Sequence, residues 1–123
     1  MRRSIRFSDE FLSDFEGLNE EIRDELLSHL KMLERLGPAL GRPRVDTLKG
    51  SRHHNMKELR FDVLKGVWRV AFAFDPKRCA VVLVAGDKSG VSQQRFYRKL
   101  IRHADERFDR YLSGGQEHVK NTR

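Results

Sequence analysis

A chain of 123 residues holds one hydrophobic core and leaves too little for a second domain, and with 38% hydrophobic and 35% charged residues it is expected to fold and to stay soluble. Its single cysteine, Cys79, excludes an internal disulfide or a multi-cysteine zinc site and fits a reducing cytoplasm. The net charge of +7 is unevenly spread: residues 1–36 carry six Lys/Arg against nine Asp/Glu, the rest nineteen against nine, so a polyanion is expected on the C-terminal two-thirds.

The opening MRRSIRF becomes acidic and polar at once, and no uncharged apolar run approaches a membrane span, so neither a signal segment nor a membrane partner is expected. Ser4 to Phe7 suits a short strand. Ser8 can cap a helix whose first turn carries Asp9 and Glu10, with Phe11 and Phe15 one turn apart. A second helix should begin at Asn19, bury the stripe Ile22, Leu26, Leu30 and Leu33, and stop at Gly37-Pro38. Residues 37–55, GPALGRPRVDTLKGSRHHN, lack a sustained period and read as a long loop with a brief extended piece near Val45 to Leu48.

From Lys57 to Val63, apolar Leu59, Phe61 and Val63 alternate with Glu58, Arg60 and Asp62. In the following strand Trp68, Val70, Phe72 and Phe74 take one face, and Val67, Arg69, Ala71 and Ala73 the other. An even-length connection between these strands keeps both faces consistent and puts Arg60 and Arg69 together. Asp75-Pro76-Lys77-Arg78 is expected as a four-residue turn, which would add Val82, Val84 and Lys88 to the arginine face. Small Ala71 and Ala73 would leave a shallow concavity there. The strand Cys79 to Asp87 is nearly all apolar and reads as central. Ser92 can cap a last helix that buries Phe96, Leu100, Ala104 and Phe108 and exposes a cationic ridge including Arg95, Arg98, Lys99 and Arg102. One domain is expected over 1–112, with a disordered tail over 113–123.

The order α-α-loop-β-β-β-α, the segments LKGSRHHNMKELRFD and WRVAFAF, and the exit LVAGDKSG into a helix with RFYRKLI resemble a RelE/HigB-type toxin of a bacterial toxin–antitoxin pair. The resemblance runs from Ile5 to Leu112 and is nearer the HigB branch, because the chain is longer and closes with an extended helix. It implies an α+β fold: a small antiparallel sheet of three to four strands, two N-terminal helices and one C-terminal helix. It further implies an endoribonuclease that cuts mRNA, often on the ribosome, and an antitoxin partner, commonly with a helix-turn-helix domain.

Metal-independent RNA cleavage needs a 2′-hydroxyl deprotonated, a phosphorane stabilised and a leaving 5′-oxygen protonated. The resemblance gives Arg69 the phosphorane and Lys88 the leaving group. Arg60 is a second clamp on the same face, since a guanidinium fork matches two phosphate oxygens. Tyr97 is an acid/base or stacking candidate, although its helical position departs from the RelE pattern. Neutral-range pKa values make His54, or its neighbour His53, a candidate base. Lys49, Arg52, His53, Lys57 and Arg98 are candidate RNA contacts. The spacing from His53 to Glu58 offers no third ligand, so no metal or other cofactor is expected. Two other functions remain open on the residues: a ParE-like toxin that binds gyrase without cutting RNA, and a nonenzymatic nucleic-acid-binding module. Arg60 and Arg69 could also serve only as cross-strand ion-pair partners.

Overall fold

The computed structural model describes the backbone of residues 4–121 and the side chains of residues 4–114. In chain order the elements are β1 (Ile5–Phe7), α1 (Asp9–Glu16), α2 (Glu20–Leu36), a 3-10 turn (Gly37–Ala39), β2 (Val45–Thr47), β3 (Met56–Val63), β4 (Gly66–Phe74), β5 (Ala80–Asp87) and α3 (Gln93–Asn121). The expected tail lies, from residue 115 onward, outside the described side chains.

The strands form one sheet in the order β1-β5-β4-β3-β2. Three to four antiparallel strands are expected; the described residues form five, and β1 pairs with β5 in parallel. Both edge strands are three residues long and coincide with the extended pieces expected near Ser4 to Phe7 and Val45 to Leu48; they are too short for their place in the sheet to be read from sequence. The parallel edge closes through Ala80 N–H donating to the Ser4 carbonyl at 2.9 Å and Ser8 N–H to the Val82 carbonyl at 3.0 Å.

Local chemistry sets the helix starts. Ser8 Oγ accepts from Phe11 N–H at 3.2 Å, Asn19 Oδ1 from Glu21 N–H at 2.8 Å, and Ser92 Oγ from Arg95 N–H at 3.2 Å. Each cap is the one the sequence indicates.

The sheet separates two cores. On one face Leu59, Val70, Phe72 and Val82 pack with Phe11 of α1 and with Leu26, Leu30 and Leu33 of α2. On the other, α3 lays Leu100, Ala104 and Phe108 over Met56, Ala71, Ala73, Val81, Leu83 and Val84. Ala71 and Ala73 therefore leave no concavity: both are fully buried, because their small side chains admit the helix.

Two connections determine which side chains reach the arginine face. β3 and β4 join through Leu64-Lys65, an even two-residue turn, so Arg60 pairs directly with Arg69. The β4–β5 connection runs five residues, Asp75 to Cys79, since Phe74 pairs with Ala80. A bulge then restores the phase: Ala71 pairs with Val84 but Phe72 with Val82, leaving Leu83 as the extra residue. Val84 thus reaches the arginine face as expected, whereas Val82 joins the opposite core. Arg107 of α3 donates to the Leu83 carbonyl at 2.8 Å and to Asp14 of α1 at 2.7 Å, supplying the bulge with a donor that the ladder does not.

Candidate functional site

Strands β3 and β4 set two arginines opposite each other, an arrangement that repels unless a carboxylate intervenes. Glu58, two residues before Arg60 and so on the same face, supplies it. Its side chain is only 5% exposed. Glu58 Oε2 accepts from Arg60 Nη2 at 3.0 Å, and Oε1 lies 3.8 Å from Arg69 Nε. Asp46 of β2 also reaches Arg60, at 3.4 Å. Burial works against the Arg60 charge, but the hydrogen bond and charge of Glu58, with Asp46 behind, hold its guanidinium more firmly protonated than usual.

The first turn of α3 brings Tyr97 onto this cluster. Its hydroxyl donates to Glu58 Oε1 at 2.7 Å and accepts from Arg69 Nε at 3.2 Å. Arg69 Nη1 donates in turn to the Trp68 carbonyl at 2.9 Å, which fixes the plane of the guanidinium. Burial, then the bond to Glu58, pushes the Tyr97 phenol above its ordinary value. Gly86 pairs with Arg69, and a Cβ there would stand 2.9 Å from the Phe96 ring, so the missing side chain lets α3 approach. Lys88, on the same face, holds its ammonium 6.0 Å from the centre of the Tyr97 ring. Beside the cluster a depression of about 430 Å³ is lined by Pro43, Arg44, Arg60, Phe61, Asp62 and Arg69.

Arg69, Arg60, Lys88 and Tyr97 therefore come together. The histidine pair does not join them. His53 Nε2 donates to Asp109 Oδ1 at 2.8 Å and its ring meets Phe108 edge-on, while Arg52 pairs with Asp109 and its backbone N–H donates to Asp105 at 3.1 Å. Ser51 completes this clip, donating to Asp105 at 2.5 Å. Burial opposes ionisation of Asp109, but His53 and Arg52 outweigh it and hold the carboxyl below its usual range. The clip lies on the order of 12–18 Å along α3 from Tyr97 at the helical rise. His54 is exposed beside it. Lys49 is exposed just past β2, and Arg98 is exposed one residue beyond Tyr97. Lys57 pairs with Phe72, on the face opposite Arg60, and donates to Thr47 Oγ1 at 3.3 Å.

Glu58 is the group that the sequence reading left out of the site. Its i, i+2 relation to Arg60 was visible; its burial between two arginines depends on the β3–β4 register and on α3. Among the described residues no group of three His, Cys, Asp or Glu side chains is placed to hold a metal ion.

Residues 13–109 match the description of the Gp49-like phage-derived proteins (DUF891). The chain belongs to that family. It is 46% identical over 98 residues to the candidate toxin HigB2 of Mycobacterium tuberculosis, covering 79% of this chain and 48% of HigB2, so it spans about half of that relative. It is also 41% identical over 99 residues to the candidate toxin HigB3 of the same organism, covering 80% of this chain and 84% of HigB3. In fold it is similar to an arginine-substituted variant of the Escherichia coli toxin RelE in the free state, with a TM-score of 0.54 at 13% identity over 82% of this chain and 95% of the other. The Gp49-like chain is thus related in sequence to the HigB-type toxins and has a RelE-like fold.

Proposed function

We propose that this toxin is a metal-independent endoribonuclease acting on mRNA, probing the ribosome-bound message in the cytoplasm and restrained by an antitoxin that carries a helix-turn-helix domain. Membership of the RelE/HigB type supplies the antitoxin; the remaining particulars are the proposal. One observation carries the chemistry: Arg60 and Arg69, opposed across two strands, share a buried carboxylate, which a tyrosine hydroxyl links to Arg69 at the edge of an open depression.

At rest Glu58 stands between the two arginines where a phosphate would bind. A scissile phosphate arriving at Arg69 and Arg60 takes over their donors, leaves Glu58 with less cationic company, and so makes it a stronger base. The 2′-hydroxyl then passes its proton to the Tyr97 oxygen while Tyr97 passes its own to Glu58. The freed 2′-oxygen attacks phosphorus, the P–O5′ bond breaks, and Lys88 protonates the departing 5′-oxygen. Products are a 2′,3′-cyclic phosphate and a 5′-hydroxyl. Arg69 carries the charge that develops on the phosphorane. The helical ridge extends the attraction to a polyanion; burial and the neighbouring Arg102, Arg107 and Lys99 already hold His103 below its ordinary value.

The deciding experiment maps RNA ends after brief induction in bacteria, with native protein and with Arg69→Ala. New ends within translated frames, reduced about 10²–10³-fold in the variant, are expected from the loss of transition-state stabilisation. Intact RNA in growth-arrested cells would refute the ribonuclease assignment; undiminished cutting by the variant would refute the role given to Arg69.

A further inference from the structure

Arg44 sits where β2 begins, on the rim of the depression that Arg60 and Arg69 line. Two contacts hold it. Its carbonyl accepts from Arg60 N–H at 2.8 Å, which makes its position a continuation of the β2–β3 ladder. Its Nη1 donates to His29 Nδ1 at 2.9 Å. His29 is in turn fixed on α2: it is 8% exposed, stacks on Phe61 with ring centres 5.0 Å apart, and its Nε2 lies 3.1 Å from Glu25. Because Arg44 can only donate, Nδ1 must accept, so Nε2 carries the ring proton and donates to Glu25.

This anchor contrasts with those of the other two arginines. Arg60 is paired with Glu58 and Asp46, and Arg69 lies beside Glu58, whereas Arg44 makes no ion pair among the described residues. A neutral imidazole ring orients its guanidinium and leaves its charge uncompensated. Its other nitrogens make no hydrogen bond among the described residues, and Arg44 lines the open depression of about 430 Å³ together with Arg60 and Arg69. Asp62, also on the rim, is exposed and bears the one carboxylate of that lining.

We infer that Arg44, oriented by His29, forms a second phosphate subsite that grips the RNA backbone beside the phosphate held at Arg69. This rests on the ribonuclease reading for the identity of the strand but not for the presence of the anion site. The subsite is a positioning device: it fixes where along the strand the scissile phosphate falls.

The test measures binding of a short single-stranded RNA with every 2′-hydroxyl methylated, which cannot be cleaved, across a series of salt concentrations. Arg44→Gln is the informative variant, because it removes the charge while keeping a polar, unbranched side chain on the rim. Binding is expected to weaken several-fold, with the slope of log K against log salt falling by about 0.7, the value for one phosphate contact on a single strand. Asp62→Asn should tighten binding, and His29→Leu, which removes the acceptor, should weaken it; thermal unfolding accompanies each to confirm a folded protein. An unchanged affinity and slope in Arg44→Gln, or no binding by the native protein, overturns the subsite. Should the slope fall as expected while induced native protein leaves the RNA of growth-arrested cells intact, the subsite stands and the ribonuclease reading falls instead.

Discussion

Glu58 has two roles that substitution can separate. It neutralises a facing arginine pair, and in the proposed reaction it receives the 2′-hydroxyl proton through Tyr97. Glu58→Gln keeps the shape but removes the charge that Arg60 and Arg69 share. It is expected to cost about 2 kcal/mol of folding stability as well as cleavage, because buried charge-assisted bonds are lost on both sides. Tyr97→Phe removes only the hydroxyl bridge, leaving the Glu58–Arg60 bond intact. It should lower cleavage about 10²-fold, the usual range for a proton-transfer group, with little change in urea unfolding. Equal stability losses in the two variants would reduce Tyr97 to a structural strut. Alternation alone placed Arg60 and Arg69 on one face, since a period of two is unambiguous once the turn is even. Glu58 had the same parity but looked like a solvated acid. Its burial is decided by Tyr97 arriving from 39 positions away, a relation that no local pattern encodes.

The elements were legible wherever their length let periodicity speak: α2, β3, β4 and the start of α3 lie where stripe, cap and alternation put them. The two edge strands lie where short extended pieces are expected, but three residues carry no period that would fix their pairing in the sheet. The β3–β4 turn is a case of register overruling turn chemistry. Leu64 and Lys65 both adopt left-handed backbone, with φ of 51° and 65°, where Asn-Gly would be expected. Leu64 is also 55% exposed, so packing does little to offset that conformation. Lys65→Gly is expected to stabilise the protein by about 1 kcal/mol, the typical relief of a left-handed L-residue, read from the midpoint of chemical denaturation. A destabilised variant would mean that the lysine contributes more on this turn than its backbone strain costs.

At the scale of the molecule, α3 is fastened far from the site. Besides the clip to Asp105 and Asp109, Tyr111 donates to Asp75 at 2.9 Å, and Asp75 also accepts from the backbone of Lys77 and Cys79. Burial, then the bond to Asp75, pushes the Tyr111 phenol up to about 12. A free tyrosine titrates near 10, so the folded state favours the protonated phenol. That share of stability is fully present below pH of about 10 and is lost as pH rises toward 12. Tyr111→Phe should therefore unfold more easily at neutral pH and lose less stability than native protein between pH 10 and 12; parallel alkaline curves would show that the bond contributes nothing. The charge imbalance read from the sequence has a spatial counterpart, since the acidic first third forms α1 and α2 on one side of the sheet and α3 covers the other. The extra residue at Leu83 gives β5 two independent phases: the first half answers to the packing beneath it, the second to Arg69 through Gly86 and Lys88. A one-residue change of length in the Asp75–Cys79 turn can thus be absorbed at the bulge before it reaches the half of β5 that faces Arg69, so the register that sets Gly86 against Arg69 does not depend on the length of that turn.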